Sequence, residues 1–123
     1  MPELIPGPVQ IPVPGGKTIE EFVGLVATGH ESVSIAHMIA PAGWEEPAQT
    51  PEFDEFTLVL DGSIMVEAED GPTLVTAGQA VFTRAGERIR YTTPDGARYI
   101  AICVPAFSPD LVHREDVEID ADW

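Results

Sequence analysis

Apolar and polar positions along this chain come in short alternating runs, and no stretch sustains a helical period. Residues 22–27, 33–40, 56–60, 64–68, 73–76, 80–83, 89–93 and 99–104 are rich in β-branched and aromatic side chains. Gly, Pro or Asp bounds most of them. Even-spaced short strands of this kind predict an all-β sandwich or closed barrel. Asp61-Gly62 between two apolar runs predicts a tight hairpin, and Glu69-Asp70-Gly71-Pro72 predicts a second. Pro94-Asp95-Gly96 separates the last two strands. Thr18-Ile19-Glu20-Glu21 has the form of a capping box, which predicts one helical turn ahead of the first strand.

Facing follows from the two-residue period of a strand. Glu55, Thr57 and Val59 share one face, as do Ile89, Tyr91 and Thr93, with Arg90 on the other. His37 is in phase with Val33, Ile35 and Ile39, which predicts that it lines the interior. Phe56-Thr57-Leu58-Val59-Leu60 and Ile100-Ala101-Ile102-Cys103-Val104 are apolar on both faces. One face fills a core and the other needs a cover, so a homodimer is expected.

The length of 123 residues suits one domain. We divide it into an N-terminal arm with the first strands (1–32), a barrel (33–107) and an acidic C-terminal tail (108–123). That tail could dock Val117, Ile119 and Trp123 on a neighbouring subunit. Twenty-one acidic residues against six basic ones give a net charge of −15. Such a field repels phosphate backbones and anionic lipid, so neither nucleic acid nor a membrane is an expected partner. The first ten residues lack the basic and apolar regions of a secretory leader, and the single cysteine, Cys103, has no internal disulfide partner. Both points fit the cytoplasm.

Gly43, Glu55 and Gly62 fall on the spacing of the first cupin motif, and Gly78 and Gly86 fall on that of the second. From about Val33 to Phe107 the chain resembles the cupin superfamily, which implies a double-stranded β-helix, the jelly-roll barrel. In that family the lumen carries three histidines and a glutamate that hold a divalent metal. Here Gln49, Pro51 and Ile89 stand at the histidine positions, Arg84 at the second motif's proline position, and Thr93 at its asparagine position. Proline and isoleucine offer no side-chain donor, so no cofactor is expected. A divalent metal would have to use His37, Gln49 and Glu55. Within the superfamily the pattern most resembles the cupin of bacterial ethanolamine utilisation, on the residues Asp54-Glu55, Ile89 and Pro105-Ala106. That relative has been linked to acetate kinase activity, but this sequence has no glycine-rich phosphate loop to support it.

The expected function is binding of a small molecule, with Glu55 in the barrel lumen. Gln49, His37, Trp44, Thr57, Ile89 and Thr93 are the candidate ligand-binding residues. One alternative is proton-transfer chemistry on a small carbonyl compound (isomerisation, epimerisation or elimination), with Glu55 and Tyr91 as catalytic groups. An atypical metalloenzyme and a non-catalytic assembly or sensor protein are the others. A carboxyl enclosed by apolar walls has a raised pKa, which suits Glu55 to proton transfer near neutrality.

Overall fold

The computed structural model describes residues 1–115. Among them are nine strands: β1 (Val9–Ile11), β2 (Thr18–Val23), β3 (Ser34–Ala40), β4 (Trp44–Glu45), β5 (Asp54–Ala68), β6 (Gly71–Thr76), β7 (Ala80–Thr83), β8 (Arg90–Thr93) and β9 (Ala97–Val104). One short helix, α1 (Pro109–Val112), follows. Every strand pairing is antiparallel. One sheet joins β1, β2, β3, β9, the first half of β5, and β7. The other joins β4, β8, the second half of β5, and β6. This curled double sheet is the cupin barrel that the glycine spacing implied. None of the described helices is long and apolar enough to cross a membrane.

Strand β5 belongs to both sheets because it bends instead of turning back. The predicted hairpin at Asp61-Gly62 is absent, and the ladder with β9 shifts register between Val59 and Asp61. Gly62 has φ +76°, and a Cβ built there would lie 2.2 Å from the Gly96 carbonyl oxygen. The residue is therefore a close-approach site as well as a left-handed one, and both conditions select glycine. The next reversal, at Glu69-Asp70, is the hairpin expected between β5 and β6. The Pro94-Asp95 turn carries the chain from one sheet to the other.

Thr18–Val23 is a strand, not a helical turn. It pairs with β1 on one side and β3 on the other, and two backbone ladders outweigh a local capping pattern. Val59, Ile64, Val66, Val75 and Ile89 form the main core. Phe53, Cys103 and Val112 form a second cluster, with Phe107 packed against it. Val112 sits on α1, whose N-terminus is capped by the Ser108 hydroxyl accepting from the Asp110 amide. The first part of the 108–123 segment is thus docked as far as 115. Leu111 O accepts from the Glu52 amide at 2.8 Å, and Ala48 O accepts from the Glu115 amide at 2.8 Å. Val117, Ile119 and Trp123 lie outside the described residues.

Candidate functional site

The inner face of the larger sheet lines a cavity of about 200 Å³. Alternation on each strand decides which residues reach it. From β3 these are Ser34, Ala36 and Met38; from β5, Glu55 and Thr57; from β9, Tyr99, Ala101 and Cys103. Ile11, Val13, Leu25 and Val26 add apolar wall from β1, its following loop and the β2–β3 loop. Five charged residues also line it: Lys17, Glu21, Glu46, Glu55 and Arg114, with Glu21 accepting from the Val26 and Ala27 amides.

Glu55 is the carboxylate that the motif placed inward. Its pKa is raised from 4.5 to about 7, first by burial and then by the like charge of Glu46. Lys17, Arg114 and a 3.4 Å hydrogen bond donated by the Thr57 hydroxyl pull in the opposite direction. Glu46 is 5% exposed and forms a 3.7 Å ion pair with Arg114, whose side chain is also largely buried. Burial lowers the pKa of Lys17, while Glu46 and Glu55 counteract that shift. Gln49 is 3% exposed, and its side-chain oxygen has no hydrogen-bond partner. Its backbone is fixed by two 2.8 Å hydrogen bonds with Ile89, which bring the two motifs side by side.

Tyr91 lines the cavity and shares a 3.1 Å hydrogen bond between its hydroxyl and that of Thr83. Burial and the Glu55 charge raise its pKa well above 10, as they do for Tyr99. Both phenols are therefore neutral hydrogen-bonding groups. Burial likewise pushes the Cys103 thiol up, which removes it as a nucleophile.

The structure thus brings together Glu55, Gln49, Thr57 and Tyr91 of the residues named from sequence. Trp44, Ile89 and Thr93 are buried, but in the core beside the cavity and not on its wall. The Thr93 hydroxyl instead donates to Pro41 O at 2.9 Å. His37 is on the opposite face of β3 from the cavity, paired with Glu20 at 2.9 Å. The phase inferred for β3 was inverted. Ile35, His37 and Ile39 point outward, while the smaller Ser34 and Ala36, with Met38, point in.

This inversion also decides the metal question. The fallback set His37, Gln49 and Glu55 is not assembled, because His37 is across the sheet. Gln49, Pro51 and Ile89 hold the positions of the usual histidines, and no imidazole reaches the cavity. Among the described residues, no cluster of three or more His, Cys, Asp or Glu side chains could hold a metal ion. The residues do not fit the metal that the fold family usually carries.

Lys17, Glu46, Arg114 and Tyr99 were not identified from sequence. They come from the β1–β2 loop, the segment that follows β4 inside the first motif, the segment after α1, and β9, so only the closed barrel unites them. One sequence clue was available: Lys17 is the chain's single lysine. Arg90, expected to face away from the lumen, does so, with ion pairs to Glu45 at 2.6 Å and Glu67 at 3.3 Å.

The model of the family described as ethanolamine utilisation protein EutQ matches residues 22–108. The chain belongs to the EutQ family. A Myxococcus xanthus (strain DK1622) protein named Endoribonuclease YbeY is 44% identical over 108 residues, 85% of this chain and 36% of that protein. Acetate kinase EutQ of Clostridioides difficile (strain 630) is 30% identical over 57 residues, 46% of this chain and 36% of that protein. This EutQ-family chain therefore spans about a third of the length of the curated relatives it matches. An RmlC-like cupin from Shewanella frigidimarina superposes with a TM-score of 0.71 at 15% identity, covering 85% of this chain and 89% of that one. That likeness concerns the fold.

Proposed function

We propose that this EutQ-family barrel binds a small organic molecule in its cavity, with Glu55 as the group that exchanges a proton with it. The observation that carries this is the cavity of about 200 Å³ with charged side chains and the unpartnered Gln49 oxygen on its wall. A buried polar atom without a partner costs about 1–3 kcal/mol, and a bound hydroxyl or amine would recover part of that cost. Apolar wall residues such as Ile19, Val26 and Met38 suit a ligand with a hydrocarbon part as well as polar groups. A role confined to the exterior, as in an assembly or sensor protein, would not require this open space.

The second function, proton transfer on a small carbonyl compound, is favoured by one feature. A carboxyl that titrates at about 7 can both accept and donate a proton near neutrality. Glu55 would move the proton and the neutral Tyr91 would donate a hydrogen bond. The kinase and nuclease names belong to relatives of which this chain matches 36% of the length, and the cavity has no phosphate-binding loop. A thermal-shift screen of a metabolite panel tests the binding proposal. A ligand at a hundred times its Kd raises stability by roughly 2.7 kcal/mol, a shift of several degrees in Tm. A panel of small hydroxy, carbonyl and amino compounds that leaves Tm unchanged would remove it.

A further inference from the structure

The only ε-amine in this chain is inside the cavity. Lysines are usually spread over a protein surface with the ammonium in water. Lys17 instead places Nζ 4.3 Å from the centre of the Trp44 ring and 5.6 Å from that of Tyr99. Among the described residues it forms no hydrogen bond and no ion pair. Of the three carboxylates on the cavity wall, Glu46 and Glu55 influence it electrostatically without binding it, while Glu21 accepts from the Val26 and Ala27 amides. The amine therefore rests against two ring faces, and no other described side chain engages its N–H groups.

We propose that Lys17 Nζ captures a small hydroxy-aldehyde or hydroxy-ketone in this cavity as a reversible imine. The proposal rests on the small-molecule binding proposed above and names the ligand class. Around Lys17 the wall offers acceptors for hydroxyl groups: the Gln49 oxygen and the Glu46 carboxylate. A compound with a carbonyl carbon for the amine and a hydroxyl for these oxygens would satisfy both. Burial favours the neutral amine, which is the nucleophilic form.

The chemistry balances with the groups present. The Nζ lone pair adds to the carbonyl carbon, and one N–H proton passes to the carbonyl oxygen to give a carbinolamine. The Glu55 carboxyl then donates its proton to that oxygen, which leaves as water. The products are an iminium on Lys17, one water molecule and the Glu55 carboxylate. The reverse steps release the carbonyl compound.

The test treats the whole protein at pH 7 with glycolaldehyde and cyanoborohydride, which reduces an iminium to a stable hydroxyethyl-amine. Peptide mapping then reads labelling at Lys17 and at the Met1 α-amine, the one other amine. The ratio of Lys17 to Met1 labelling should be on the order of tenfold higher in native protein than in guanidinium, as expected for a positioned amine. Glu55→Gln should slow Lys17 labelling and leave Met1 unchanged, and Lys17→Arg should abolish it while keeping the charge. An equal or lower ratio in native protein, or label on Met1 alone, overturns imine formation. If metabolites still raise Tm in that case, binding survives and only the imine fails. If neither label nor thermal shift is seen, both proposals fail.

Discussion

Replacing Glu55 by glutamine should make the barrel more stable above neutral pH and remove part of its pH dependence. In the folded chain Glu55 titrates at about 7, against 4.5 for an ordinary glutamate. Between those values the folded protein holds a proton that the unfolded chain has released. Stability contributed by this group therefore falls as pH rises from 4.5 towards 7, and is flat above. The full gap corresponds to about 3 kcal/mol. Glutamine keeps the size and the hydrogen bond to Thr57 but cannot ionise. Urea denaturation of both proteins at several pH values gives the needed quantity, the difference in unfolding free energy. That difference should be near zero at pH 4.5 and grow to about 3 kcal/mol in favour of Glu55→Gln by pH 7.5. Carboxylates remote from Glu55 titrate alike in both proteins and cancel. A difference independent of pH would show that Glu55 ionises normally, and the enclosed-carboxyl argument would fail.

Gly62→Ala should cost about 2–3 kcal/mol, because it adds a collision with the Gly96 carbonyl to the left-handed strain. Gly86→Ala, at φ +88° with nothing near its Cβ position, should cost only about 1 kcal/mol; equal urea midpoints would refute the close-approach argument. Arg114→Met leaves the buried Glu46 carboxylate without its 3.7 Å cation and should cost about 3 kcal/mol. A cost under about 0.5 kcal/mol, the scale of surface pairs, would place that pair in solvent. Phe56, Leu58, Leu60 and Phe82 are exposed together on the outer face of the larger sheet, with the two phenylalanine rings stacked at 4.7 Å. A second copy of this chain is the proposed cover, so light scattering should give a dimer and Phe56→Glu/Leu58→Glu a monomer; a monomeric wild type refutes it.

Much of the barrel was legible because its punctuation is local. Gly43, Gly62, Gly78 and Gly86 all adopt positive φ, so the motif spacing carried real backbone information. Glu55, Thr57 and Val59 kept their shared face because one position in phase fixes the rest of a strand. The errors have equally local causes. On β3 both faces are largely apolar, so alternation cannot tell inside from outside. There, the small Ser34 and Ala36 mark the cavity side, since a cavity is left where side chains are short. At Gly62, Asp-Gly has the chemistry of a hairpin, but the strand bends through there with Gly62 packed against the Gly96 carbonyl. The cationic half of the site was hidden because Lys17 and Arg114 are nearly a hundred residues apart.

The cavity as binding site is tested most directly by filling it. Ala36 and Ala101 are opposite each other in the β3–β9 ladder, and both line the space. Ala101→Phe should occupy much of the cavity while the circular dichroism spectrum stays that of the barrel. The compound that gives the largest Tm rise in wild type should then give none in this variant. An undiminished rise in a folded, blocked barrel would place the ligand elsewhere and contradict the account.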